Sequence, residues 1–243
     1  MKGVILAGGT GTRLQPLTRL INKHLLQVGK HPMISYAIER LRQAGITDVM
    51  IVISKQSAGL YTEYLGSGED HGVQITYKIQ EAAGGIAEAL QLTRSYISPG
   101  EKFVVLLGDN LFQEDLSPYV KSYEKQDPGS ARILLKPVDD PHRYGVPVFD
   151  NQDPKLISHI EEKPADPKSG YCVTGIYMYD DEVFKYIGEV TRSARGEMEI
   201  TDVNNRYARQ GKLEYDVLQG WWGDAGTFES LEEANTMMRG MIP

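Results

Sequence analysis

The run Val4-Ile5-Leu6-Ala7-Gly8-Gly9-Thr10-Gly11-Thr12-Arg13-Leu14 leaves little freedom for whatever follows it. An apolar stretch of strand character passes directly into a loop with three glycines in four positions, and that loop carries a cation, Arg13. Glycine has no Cβ and tolerates positive φ, so a ligand can come close and successive N–H groups can face one anion. Lys23 supplies a second cation. The pattern is that of a polyphosphate cradle at the end of a buried strand.

What comes next fixes the fold class. Over residues 32–41, Ile34, Ala37, Ile38 and Leu41 fall on one helical face, with Pro32 suited to the first turn. Gly45 closes that helix, and residues 49–53 are a short continuous apolar run. Strand, loop, helix and strand in this order make a βαβ unit, which requires a parallel sheet and a right-handed crossover. The pattern recurs: residues 73–79 alternate like a strand, Gly84-Gly85 opens a helix over 86–96, and residues 103–107 form a buried strand that ends at Gly108-Asp109-Asn110. From about residue 130 the texture shifts to shorter strands, at 131–137, 146–149, 156–161 and 173–179. Helices at 180–188 and 201–210, a strand at 213–218 and a helix at 228–239 complete the reading. The expected fold is α/β, a doubly wound, mostly parallel Rossmann-like sheet with an antiparallel addition in its second half. Ligands of such sheets sit beyond the carboxyl ends of the strands, so residues 8–13 and 108–110 should face one crevice.

Composition narrows the partners. A formal net charge of −7 argues against nucleic acid and against an anionic membrane surface, since both need broad positive patches. The single cysteine, Cys172, excludes an internal disulfide and a cysteine-ligated metal, and fits a reducing compartment. No apolar run reaches membrane-span length and no signal pattern opens the chain, so the expectation is a cytoplasmic protein with no membrane partner. Two familiar phosphate sites are absent: the P-loop pattern does not occur, and Leu14 stands where a dinucleotide fingerprint needs its third glycine. The five histidines are scattered without ligand spacing, Cys172 reads as a small buried hydrophobe, and Asp139-Asp140 reads as a polar turn.

The opening blocks Leu6-Ala7-Gly8-Gly9-x-Gly11-Thr12-Arg13-Leu14-x-Pro16-Leu17-Thr18, Lys23 and Pro32-Met33-Ile34 resemble the signature of the sugar-1-phosphate nucleotidyltransferases. The resemblance continues in order through Leu107-Gly108-Asp109-Asn110, Arg143-Tyr144-Gly145-Val146, Glu161-Glu162-Lys163-Pro164, Val173-Thr174-Gly175-Ile176-Tyr177, Glu199-Ile200-Thr201-Asp202-Val203-Asn204 and Trp222-x-Asp224-x-Gly226-Thr227. Within that family the chain is most similar to the branch acting on glucose 1-phosphate and dTTP, in a short form without a C-terminal helical extension.

The resemblance implies attack of a sugar-1-phosphate oxygen on the α-phosphorus of dTTP, or of UTP as the alternative, with release of pyrophosphate. Leu6, Gly8, Gly9, Gly11, Thr12 and Arg13 would bind the nucleotide, with Gln80 and Gly85 reading the pyrimidine edge. Arg13, Lys23 and Lys163 would be the catalytic cations. Asp109, also on the nucleotide, would share Mg²⁺ with Asp224, and two carboxylates plus substrate phosphates suit that ion. Gly145, Glu162, Lys163, Val173, Thr174 and Arg195 would bind the sugar phosphate. A single domain over 1–243 is implied, with a nucleotide half at 1–129 and a sugar half at 130–243, assembled as a homo-oligomer serving deoxysugar and polysaccharide synthesis. One departure stands out. Residues 80–87 keep only the Gln, the Gly and the following Ala of the family's base-reading segment and lack its Pro-Ser-Pro-Asp. The competing readings are a non-catalytic sugar-nucleotide sensor, which the full set of cations and aspartates disfavours, and a glycosyltransferase, whose Asp-x-Asp is missing at Asp109-Asn110-Leu111.

Overall fold

A computed structural model describes residues 1–241 of the chain. Strand β1 (Lys2–Ala7) leads through the glycine loop and a short hairpin, β2 (Gln27–Val28) and β3 (His31–Pro32), into helix α1 (Met33–Gln43). There follow β4 (Asp48–Ser54), α2 (Ala58–Leu65), β5 (Gln74–Gln80), α3 (Ile86–Gln91), β6 (Phe103–Leu107), β7 (Asn110–Phe112) and α4 (Ser117–Glu124). The second half runs β8 (Ala131–Pro137), β9 (Gly145–Phe149), β10 (Ile157–Glu162), β11 (Tyr171–Tyr179), α5 (Val183–Ile187), α6 (Ile200–Arg209), β12 (Leu213–Val217), β13 (Trp222–Asp224) and α7 (Phe228–Met237).

One seven-stranded sheet, in the order β12-β8-β11-β6-β1-β4-β5, takes strands from both halves. Every neighbouring pair is parallel except the two made by β11, which runs antiparallel to β6 and to β8. This is the expected doubly wound sheet with an antiparallel element from the second half. The addition differs in one respect. Residues 145–149 and 157–162 pair with each other as a separate two-stranded ribbon and do not extend the main sheet. Pro147, inside β9, cannot donate to a second neighbour, which suits an edge position.

Side chains alternate between two cores, one on each sheet face. Ile5, Ile51, Val104 and Leu106 pack with the α1 residues Ile34, Ala37, Ile38 and Leu41, the four that share the expected helical face. Val4, Leu6, Val52, Phe103 and Val105 point the other way, onto Leu90 of α3, Phe184 of α5 and Val203 and Tyr207 of α6. A third cluster joins α7 to the N-terminal loops: Leu14, fully buried, packs with Val28, Tyr36 and Leu231. Leu14 therefore pins the residue after Arg13 while Arg13 itself stays exposed.

The helix expected over 86–96 stops at Gln91, where Thr93 bonds back to Leu90 O at 2.8 Å and the chain continues in turns. The helix expected at 180–188 is shorter as well, since Asp180 accepts from Glu182 N and belongs to the turn before it. Helices α2 and α4 lie where the sequence reading placed nothing. Each buries only two side chains, Tyr61 and Leu65 in α2 and Val120 and Tyr123 in α4, too few for a periodic signal.

Candidate active site

The carboxyl ends of β1, β5 and β6 lie on the same sheet edge, and the functional residues collect there. A cavity of about 300 Å³ takes Leu6, Gly8, Gly9, Arg13 and Lys23 from the glycine-loop region, Gln80 from the end of β5, Gly85 from the loop after it, and Asp109 from just beyond β6. A second cavity, about 140 Å³, is lined by Gly145, Glu162, Lys163, Val173 and Asp224, again with Asp109. Asp109, Leu107 and Ile86 belong to both linings, so the two spaces meet at the Asp109 carboxylate. A larger groove of about 450 Å³ around His31, Tyr64 and His71 contains none of the expected residues.

A buried hydrogen-bond hub positions the glycine loop. Asn22 donates to Gly9 O at 3.2 Å, while its Oδ1 accepts from the His24 amide and from Tyr61 OH and meets His24 Nδ1 at 2.7 Å. Burial, with Lys23 alongside, pulls the His24 imidazole down to about 3, so this ring is neutral and structural near pH 7. Gly8 lies so close to Gln80 that an added Cβ would sit 2.3 Å from its Oε1. The glycine at this position is thus what lets the amide of Gln80 share the cavity.

Asp109 and Asp224 are neighbours of unlike character. Asp224 pairs with Asn110 across β13 and β7, and Ala225 N donates to Asp109 O at 3.0 Å. Burial pushes the Asp109 carboxyl up, but Lys23, bonded directly to it, outweighs that effect and holds it well below the usual carboxylate range. Asn110 supports the arrangement: its amide donates to Asp109 at 3.2 Å, and its Oδ1 accepts from Trp222 Nε1 and Gly175 N, each at 2.8 Å. Asp224 has no such partner. Its Oδ1 is buried without a hydrogen bond, and burial, with Asp109 close by, pushes the carboxyl up to about 6. An orphaned buried oxygen beside a second carboxylate is the donor set a divalent cation satisfies. No third His, Cys, Asp or Glu joins them among the described residues, which fits an ion that keeps water and substrate oxygens in its shell.

Around the second cavity, Glu162 accepts from Thr201 at 2.5 Å and from Arg195 at 3.2 Å, with Lys163 3.6 Å away. Lys163 is the one non-glycine residue with positive φ (49°) among the described residues, and its amide donates to Tyr144 O at 2.9 Å. That left-handed turn, which costs roughly 1–2 kcal/mol in a residue with a Cβ, directs the chain away from β10 just where its ammonium lines the cavity.

The other expected residues lie apart from the two linings. Gly11 (φ 64°) shapes the turn, accepting from Leu14 N and Thr18 Oγ1, and Thr12 is exposed. Thr174 is buried and donates to Leu134 O at 2.7 Å, so its side chain faces away from the cavity that Val173, Gly175 and Tyr177 line. Arg195 is held by Glu199, Glu162 and Glu197 at 2.9, 3.2 and 3.6 Å. A phosphate would have to compete with three carboxylates for it. Sequence reasoning assigned no role to Arg143, Tyr144, Tyr177, Glu199, Thr201 and Trp222, which line the second cavity, or to Glu197, which lines the first. All but Glu197 lie inside blocks that carried the resemblance.

Comparison with known proteins decides the family. Residues 2–239 match the nucleotidyl transferase family. The chain belongs to the nucleotidyl transferases. It is 39% identical over 242 residues to the glucose-1-phosphate thymidylyltransferase of Neisseria meningitidis, covering 98% of this chain and 83% of that one. With the Xanthomonas campestris enzyme of the same name it shares 41% identity, over 96% and 79% of the two chains. The crystal structure of a Bacillus anthracis protein, provisionally named glucose-1-phosphate thymidylyltransferase and holding a sucrose, superposes with a TM-score of 0.94 at 51% identity, covering 100% and 97%. UDP-glucose pyrophosphorylase, at 24% identity and a TM-score of 0.85 over 97% of each chain, shares the nucleotidyl transferase fold. No helix among the described residues is long and apolar enough to cross a membrane.

Proposed function

We propose that this nucleotidyl transferase moves a thymidylyl group from dTTP to glucose 1-phosphate, giving dTDP-glucose and pyrophosphate. The observation that carries this reading is the junction of the two cavities at Asp109, with Arg13 and Lys23 on one side and Lys163 on the other. The names of relatives near 40% identity supply the substrates. Gly8, Gly9, Gln80 and Gly85 hold the nucleotide, while Glu162, Gly145 and Val173 hold the sugar. A sugar phosphate carries about −1.5 to −2 charge near neutral pH, so its oxygen attacks without a general base. What the site must supply is alignment of two polyanions and cancellation of their repulsion. Lys163 draws the sugar phosphate toward the α-phosphorus, and Arg13 grips the departing pyrophosphate with its planar fork. Asp109 and Asp224 would hold Mg²⁺, which supplies charge neutralisation at the phosphoryl oxygens when bound.

The test is pyrophosphate release from dTTP and glucose 1-phosphate with Mg²⁺, with dTTP, UTP, CTP and GTP in competition. No turnover with any nucleotide and sugar phosphate pair would overturn the reading. Preference for UTP would move it to the uridylyl branch, a change that one thymine methyl, discriminating by about 1–3 kcal/mol, can effect. Light scattering reports whether the protein is the homo-oligomer that the family resemblance implies.

Gly8→Ala probes the nucleotide half. The new methyl displaces the Gln80 amide, the movable end of a side chain, so the fold survives while a base contact is lost. Calorimetric titration with dTTP is expected to show binding weakened about tenfold at an unchanged melting temperature.

A further inference from the structure

The base-reading loop, residues 81–85, has no scaffold of its own. It contains two glycines and no proline, its first three residues are exposed, and Gly85 sits at φ 102°. Beyond the bond from Ala89 N to Gly85 O that begins α3, its backbone hydrogen bonds among the described residues run to one distant segment, residues 192–198. Met198 N donates to Gly84 O at 2.8 Å, and Met198 O accepts from Ala87 N, in the first turn of α3, at 3.2 Å. Arg192 completes the attachment. Its guanidinium donates to Gly84 O at 3.4 Å and to Gly196 O at 2.8 Å, and it pairs with Glu88 in the first turn of α3.

One planar group thus grips the loop, the helix behind it and its own segment, a task a point-charge lysine cannot reproduce. The contact has no slack, since a Cβ on Gly85 would meet Met198 O at 2.5 Å. The same segment sends Glu197 into the nucleotide cavity, and Glu199, the residue after the segment, lines the sugar cavity, yet Arg192 lines neither.

We propose that Arg192 is a positioning residue that clamps the base-reading loop and thereby sets nucleotide affinity and base choice without touching either substrate. This rests on the reading of the first cavity as the nucleoside triphosphate site.

Steady-state kinetics of Arg192→Ala and Arg192→Lys with dTTP and UTP test it. For Arg192→Ala, the KM for dTTP should rise about fivefold while kcat and the KM for glucose 1-phosphate stay within about twofold. Arg192→Lys should recover part of that loss, and the preference for dTTP over UTP should relax in both. Deuterium exchange should speed up over residues 81–91 in Arg192→Ala and stay unchanged in β1. An unaltered KM for dTTP would overturn the clamp. So would equal losses for both substrates together with a lower melting temperature, because that marks a purely structural residue. Calorimetric titration of parent and Arg192→Ala with dTTP needs no turnover. Weaker binding by the variant of an inactive parent would sink the proposed reaction and keep the clamp, whereas equal binding would sink the clamp alone.

Discussion

Asp224→Asn is expected to lower turnover by about 100-fold or more while leaving the metal-free protein at least as stable as the parent at pH 7.5. The reason is the buried, unpartnered Oδ1 of Asp224 and its position beside Asp109. A carboxyl whose folded pKa is raised stabilises the fold fully below its unfolded pKa and loses that contribution as pH rises through the folded value, here about 6. Above pH 6 the metal-free parent therefore carries an uncompensated charge, on the order of 1 kcal/mol once partial exposure is allowed for. The asparagine does not carry it. Thermal melts in EDTA should show the variant about 2–4 °C above the parent at pH 7.5, with the gap narrowing as pH falls and closing below about pH 4. Asp109→Asn should behave differently, losing turnover and also stability, because Lys23 is largely buried and would lose the carboxylate it bonds. Equal melting behaviour in the two variants, or near-normal Mg²⁺-dependent turnover in either, would contradict this division of roles.

Arg13→Lys should cut kcat/KM by about 100-fold at an unchanged melting temperature. Arg13 has no carboxylate within ion-pair distance among the described residues, so the fold gains little from it. Its Nη2 and Asp224 Oδ1 each lie 2.8 Å from where a Cβ of Gly226 would project. The glycine thus leaves room for the guanidinium fork beside the Asp224 carboxylate. A lysine reaches that place as a point charge and cannot bind two phosphate oxygens in one plane. A rate within about twofold of the parent would remove Arg13 from the phosphate site.

Much of this site was legible because its parts follow strands with strong signals. The glycine loop, Gln80 and Asp109 each sit at the carboxyl end of a parallel strand that apolar runs or alternation mark plainly. Strand alternation also held information that went unused. In β11, Val173, Gly175 and Tyr177 share the cavity side, and Thr174 falls on the opposite face, as a period of two requires. Other features leave no local trace. The three carboxylates around Arg195 come partly from β10 and partly from its own loop, and charge-rich stretches look alike whether solvated or paired. The attachment of residues 192–198 to the loop before α3 spans 108 positions in its Arg192–Gly84 bond, a proximity no periodicity encodes. Pro147 suits the edge position of β9 in its short ribbon with β10; its missing donor is visible in the sequence, but the edge is not.

The left-handed backbone at Lys163 sets stability and activity at odds within a single codon. Glycine is at ease at φ 49° and lysine is not, so Lys163→Gly would relax the turn while deleting the cation proposed to draw in the sugar phosphate. Selection for heat resistance alone would drift toward that change, and selection for product formation would reverse it. A library randomised at position 163 and sorted separately on each trait should therefore return disjoint winners.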